Sequence, residues 1–124
     1  MVTARCFPTE DRGKVVGAIL NLFPDFVPQG DDPVRGVSHS VEWFAELLGR
    51  QRIRSAARAV MRRGSSEGSV RFTLNKQVAA AGKVSFSEEE HALGDIEVTI
   101  VTDDTDRTID EIAPRPEGDG DERR

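Results

Sequence analysis

The alternation of apolar and polar positions divides the chain into short strands and amphipathic helices. Residues 2–7, VTARCF, alternate loosely and predict a strand. Val15, Val16, Ile19, Leu20 and Phe23 follow at helical spacing, with Thr9 as the expected N-cap and Pro24 as the stop. Residues 24–33, PDFVPQGDDP, hold three prolines, a glycine and three aspartates and predict a loop. VRGVS at 34–38 predicts a short strand, and Ser40 can cap a helix carrying Val41, Phe44, Leu47 and Leu48. A further helix runs from Arg50 to Arg63 and ends at the turn Gly64-Ser65-Ser66.

The second half reads mostly as strands. SVRFTL, 69–74, alternates most cleanly, VSF at 84–86 starts another, and IEVTIVT at 96–102 gives a third. DDTDRTIDEIAP predicts a short helix capped by Asp104 or Thr105. The fold class expected is α+β: a single domain over residues 1–113, with an antiparallel or mixed sheet of four or five strands and helices packed on one face. Residues 114–124 read as an acidic, flexible tail.

Charge changes this picture. The 124 residues carry a net charge of −5, which by itself argues against nucleic acid. Yet residues 50–83 hold nine basic side chains against Glu67 alone, a local +8, which leaves −13 elsewhere. In the helix to Arg63, the residues Ile53, Ala56, Ala57, Val60 and Met61 define an apolar face, and Arg54, Arg58 and Arg62 recur every fourth residue. Guanidinium forks suit phosphate oxygens, so this stripe is a candidate RNA contact; a solvated face paired with acidic segments is the plainer alternative.

Of seventeen basic residues only three are lysines, and two of these, Lys76 and Lys83, fall within LNKQVAAAGKVSF at 74–86. Asn75 is placed to cap a short turn through Ala81, with Gly82 closing it. Lys76, Gln77 and Lys83 are therefore candidate contacts for an anion at that turn.

The remaining chemistry is sparse. Glu88–Glu90 and the acidic run 103–111 lack the alternating oxygen pattern of a calcium loop, and His39 and His91 stand alone, so no metal is expected. No nucleophile elbow, Walker loop or dinucleotide fingerprint is present, and the expectation is no cofactor and no catalysis. Phe7, Phe72 and Phe86 fall in predicted strands and are expected to face the core. A single cysteine, no apolar run of membrane-spanning length and no leader-like N-terminus predict a cytoplasmic protein without membrane contact.

Five ordered blocks carry a family resemblance: Pro8-Thr9-Glu10-Asp11; Asn21-Leu22-Phe23-Pro24; Gln51-Arg52-Ile53-Arg54 with Ala57-Arg58; Leu74-Asn75-Lys76-Gln77 with Ala80-Ala81-Gly82; and Ile112-Ala113-Pro114. Across residues 2–114 the chain resembles uncharacterised protein family 0201 of archaea. The resemblance implies a fold like that of the large-subunit ribosomal protein that grips the smallest ribosomal RNA. It makes RNA the expected partner and carries over no catalytic residue. A phosphate or nucleotide binder, and a dimerising protein-interaction module, remain the alternatives.

Overall fold

A computed structural model of the chain describes residues 1–6, 8–87 and 95–114. Expectations resting on Phe7, Glu88–Glu90, His91 and residues 115–124 lie outside the described residues. The elements run β1 (Val2–Ala4), α1 (Arg12–Leu22), β2 (Val27–Gln29), β3 (Val34–Val37), α2 (Glu42–Arg50), α3 (Arg54–Arg63), β4 (Ser65–Ser66), β5 (Ser69–Asn75), α4 (Lys76–Ala80), β6 (Asp95–Val101) and α5 (Thr105–Ile112).

The six strands form one sheet in the order β2-β3-β1-β6-β5-β4, with every pairing antiparallel. The α+β class is as expected, with one strand more than the upper expectation. Two strands are added, β2 inside the segment read as a loop and β4 inside the segment read as a turn, while VSF at 84–86 forms only an isolated bridge from Phe86 to Leu74. In β2, Pro28 hides the strand signal: it lacks an N–H, which only an edge strand tolerates, and β2 is an edge. The first helix also starts later than expected. Asp11, not Thr9, is its N-cap, and its carboxylate accepts the Gly13 amide at 2.8 Å.

Register explains why the helices sit on one side. Ala4 and Leu74 lie opposite Ile96, Val2 and Phe72 opposite Val98, and Val70 opposite Ile100, so these side chains share one face. All but the half-buried Ile100 are buried, against Ile19, Leu22, Phe44, Leu48, Met61, Ile109 and Ile112 from the helices. Phe23, Phe44 and Phe72 stack in sequence at 5.2 and 5.6 Å between centroids, with Phe86 edge-on to the last two. Phe72 and Phe86 are thus core rings, as expected. The other face presents Thr3, Gln29, Arg35, Val37, Arg71, Thr73, Glu97, Thr99 and Val101, none of them buried and none of them aromatic.

Gly64 and Gly36 allow two close approaches. A Cβ on Gly64 would stand 1.8 Å from the Arg71 carbonyl oxygen, and one on Gly36 would stand 2.1 Å from that of Val27. The first lets α3 run directly onto β5, whose Arg71 amide bonds the Gly64 carbonyl at 2.9 Å.

Candidate nucleic-acid interface

The basic segment does not form one continuous cationic stripe. Advancing about 100° per residue, α3 turns Ala57, Met61 and Arg58 inward, while Ala56 is exposed and Val60 only half-buried. The true inward arc is rotated from the expected apolar face toward the arginine row. Arg58 is therefore buried, its Nη1 donating to Asp110 at 2.7 Å and to the Ala113 carbonyl at 2.8 Å. One turn on, Arg62 is exposed and meets Asp106 at 3.0 Å. Both carboxylates lie on α5, so the acidic segment near the C-terminus neutralises part of the basic one. The expectation of an open Arg54/Arg58/Arg62 row is corrected at Arg58.

Lys76 is corrected as well. It is 5% exposed, with Nζ donating to Glu10 at 2.9 Å and to the Arg5 carbonyl at 2.8 Å. It joins the α4 turn to the segment between β1 and α1, and no phosphate can reach it in this state. The turn otherwise forms as read: Asn75 accepts the Val78 amide at 2.9 Å, and Gly82 takes a φ of +81°. Asn75 itself occupies the end that a bound anion would use. Gln77 and Lys83 are both exposed.

A different cationic grouping forms at the α2–α3 corner. Helix α2 closes with the Arg52 amide on the Gly49 carbonyl at 3.1 Å and the Ile53 amide on that of Leu48 at 3.0 Å. This pair of bonds is a Schellman closure, whose C′ position requires a left-handed residue and normally holds glycine. Here it holds Arg52 at φ +59°, the one positive-φ residue other than glycine among the described residues. Arg54 folds back onto the same turn, close enough that a Cβ on Gly49 would lie 2.4 Å from its Nη2, and its buried Nε has no hydrogen-bond partner.

Gln51 ties Lys83 to this corner. Its side-chain amide donates to the Val84 carbonyl at 2.9 Å and accepts the Val84 amide at 2.8 Å, as a neighbouring strand would. Arg52 and Lys83, the residues adjoining those two bonds, are both exposed. Among the described residues, Arg52, Arg54 and Lys83 have no carboxylate partner. Arg50, beside them, is taken by Glu46 at 2.6 Å and lies 5.2 Å from the centroid of the Trp43 ring.

Sequence reasoning found Arg54 and Lys83 but missed Arg52 and the role of Gln51. The available signal was an Arg where the helix break after Gly49-Arg50 required a left-handed residue.

The described residues thus form a small α+β domain whose helical layer carries a cationic corner and whose other sheet face shows no aromatic side chain. A family model described as RNA binding matches residues 1–102. The chain belongs to the archaeal UPF0201 family. It is 39% identical to the UPF0201 protein of Methanocaldococcus jannaschii, over 95% of this chain and 74% of that one. With the UPF0201 protein of Methanothermobacter thermautotrophicus it shares 42% identity over 86% and 83% of the two chains. A crystal structure of the UPF0201 protein from Methanococcus jannaschii superposes with a TM-score of 0.86 at 39% identity, covering 94% of this chain and 93% of that one.

Proposed function

We propose that this protein binds structured RNA without catalysis, in the cytoplasm, and that phosphate contacts from Arg52, Arg54 and Lys83 carry the interaction, with Arg62 and Gln77 as outlying contacts. The observation that carries this reading is the α2–α3 corner, where three cations gather without a carboxylate partner among the described residues and one of them occupies a strained backbone position. Strain of this kind persists where surrounding structure enforces it, and it concentrates at functional positions. The family model's description as RNA binding supports the choice of polyanion. The family resemblance implies a fold like that of a ribosomal RNA-binding domain, and that implication favours the same partner by analogy.

With the described sheet face free of aromatic rings, recognition rests on charge and shape, not on base stacking. Binding should weaken steeply with salt, because each neutralised phosphate releases condensed counterions. The test is a mobility-shift titration of labelled total archaeal RNA at several salt concentrations, with wild type and an Arg52→Ala/Lys83→Ala double variant. The expected result is at least tenfold weaker binding at low salt and a shallower salt dependence. Equal binding by the two proteins would refute the corner as the site.

A further inference from the structure

The structure carries a second surface, on the opposite side of the sheet. Among the described residues, five large apolar side chains are exposed: Met1, Val27, Val37, Trp43 and Val101. All but Trp43 belong to the strands or the residue leading into them. Strand alternation and register put those four on the helix-free face: Val27 opposite Val37, Met1 opposite Val37 and Thr99, and Val101 two residues beyond Thr99. Monomers usually leave apolar side chains scattered singly, and a grouped set marks an interaction surface.

Beside this apolar group runs a row that is polar and charged. Across the strands in order, the same face reads Gln29, Arg35, Thr3, Glu97 and Thr73. Arg35 and Glu97 flank Thr3 symmetrically, one strand to each side. Arg35 is exposed and has no carboxylate partner among the described residues. Glu97 is 58% exposed, with only a long 3.9 Å approach from Arg71.

We propose that this face is a homodimer interface in which two copies pack sheet to sheet about a two-fold axis parallel to β1. That axis places β1 on its own counterpart and β3 over the second copy's β6. Each Arg35 then faces Glu97 of the other copy, twice per dimer, while the Met1 side chains meet at the axis and Val37 lies over Thr99 and Val101. The alternative in-plane axis, perpendicular to the strands, sets Arg35 against Arg35 and Glu97 against Glu97, which like-charge repulsion disfavours. Charge complementarity thus selects both the occupant, a second copy, and its orientation.

Strands spaced about 4.8 Å apart and rising about 3.3 Å per residue make a face on the order of 500 Å² per copy. That is at the low end of specific interfaces, where weak and transient associations fall. The helical layer, with the Arg52–Lys83 corner, stays outward on both copies. The inference is independent of RNA binding.

The test is sedimentation velocity of the full chain across low-micromolar to near-millimolar concentrations, with circular dichroism confirming that each variant folds. Val37→Asp should abolish the dimer. Arg35→Glu and Glu97→Arg should each weaken it about tenfold or more, and the double exchange Arg35→Glu/Glu97→Arg should restore it. A protein monomeric throughout the range overturns the proposal. So does a dimer indifferent to Val37→Asp, or one that the double exchange fails to rescue.

Discussion

Replacing Arg52 with glycine should make the protein more stable and a poorer RNA binder at the same time. The residue sits at φ +59° in the closing position of α2. A left-handed conformation costs an L-residue other than glycine roughly 1–2 kcal/mol. Glycine removes that cost but gives back about 0.5–1 kcal/mol through its greater freedom in the unfolded chain. The net gain is about 0.5–1 kcal/mol, or roughly 2–5 °C in Tm for a domain of this size. Arg52 is exposed and has no carboxylate partner among the described residues, so no lost ion pair offsets that gain. Urea unfolding gives the stability change, and the salt dependence of RNA binding gives the functional one. Loss of one phosphate contact should reduce the log–log salt slope by about 0.7–0.9. Arg52→Ala separates the two effects, because alanine keeps the strained backbone while removing the charge: binding should fall as for glycine, without the gain in stability. If Arg52→Gly lowers stability, the Schellman reading is wrong. If it leaves the salt slope unchanged, Arg52 is not a phosphate contact.

Further outcomes follow from the internal pairs and close contacts. Lys76→Met strands Glu10, itself only 14% exposed, without the ammonium that bonds it, and should cost about 3 kcal/mol; the Lys76→Met/Glu10→Leu double variant should recover most of that in thermal unfolding. Gly64→Ala forces α3 away from the Arg71 carbonyl and should lose about 1–3 kcal/mol by urea denaturation. The bonds donated by the Arg5 guanidinium and then by the Cys6 amide hold Asp32 below the usual carboxylate range. The Ser38 hydroxyl and the His39 amide do the same for Asp25. A carboxylate depressed in the folded state stabilises fully above its unfolded value near 4, and that contribution drains as pH falls below it. Asp32→Asn should therefore flatten the loss of stability between about pH 4 and pH 2, which acid titration followed by circular dichroism would measure.

The elements with strong periodicity were legible from the residues alone: β5 and β6 from alternation, α5 from its Asp104 cap, the α4 turn from Asn75 and Gly82. What escaped did so for identifiable reasons. β2 escaped because Pro28 suppresses strand propensity while costing nothing at a sheet edge. Arg58 escaped because its neighbours Ala56 and Val60 look like core. Small side chains do not say which way a helix faces, and the tertiary contact with α5 turns the helix toward the arginine row. Lys76 stands out in composition for a structural reason. A slender ammonium donating two bonds fits between Glu10 and the Arg5 carbonyl, where a planar guanidinium would need more room. The candidate site was legible in part. Lys83 and Arg54 could be named, but their meeting point depends on Gln51 reaching Val84, thirty-three residues away in sequence.

Helix α5 gives the chain a tethered polyanion of its own. Asp106 and Asp110 sit on the α3 arginines as nucleic-acid phosphates would, at an effective concentration that free ligand seldom matches. Arg62, the exposed member, can be recruited by RNA only through exchange of one anion for another, so little counterion release accompanies that contact. Salt loosens the internal pair as well as the external one. The number of phosphates inferred from a salt titration should therefore fall short of the number of arginines the RNA touches, and deleting the Asp106 carboxylate should bring the two counts together.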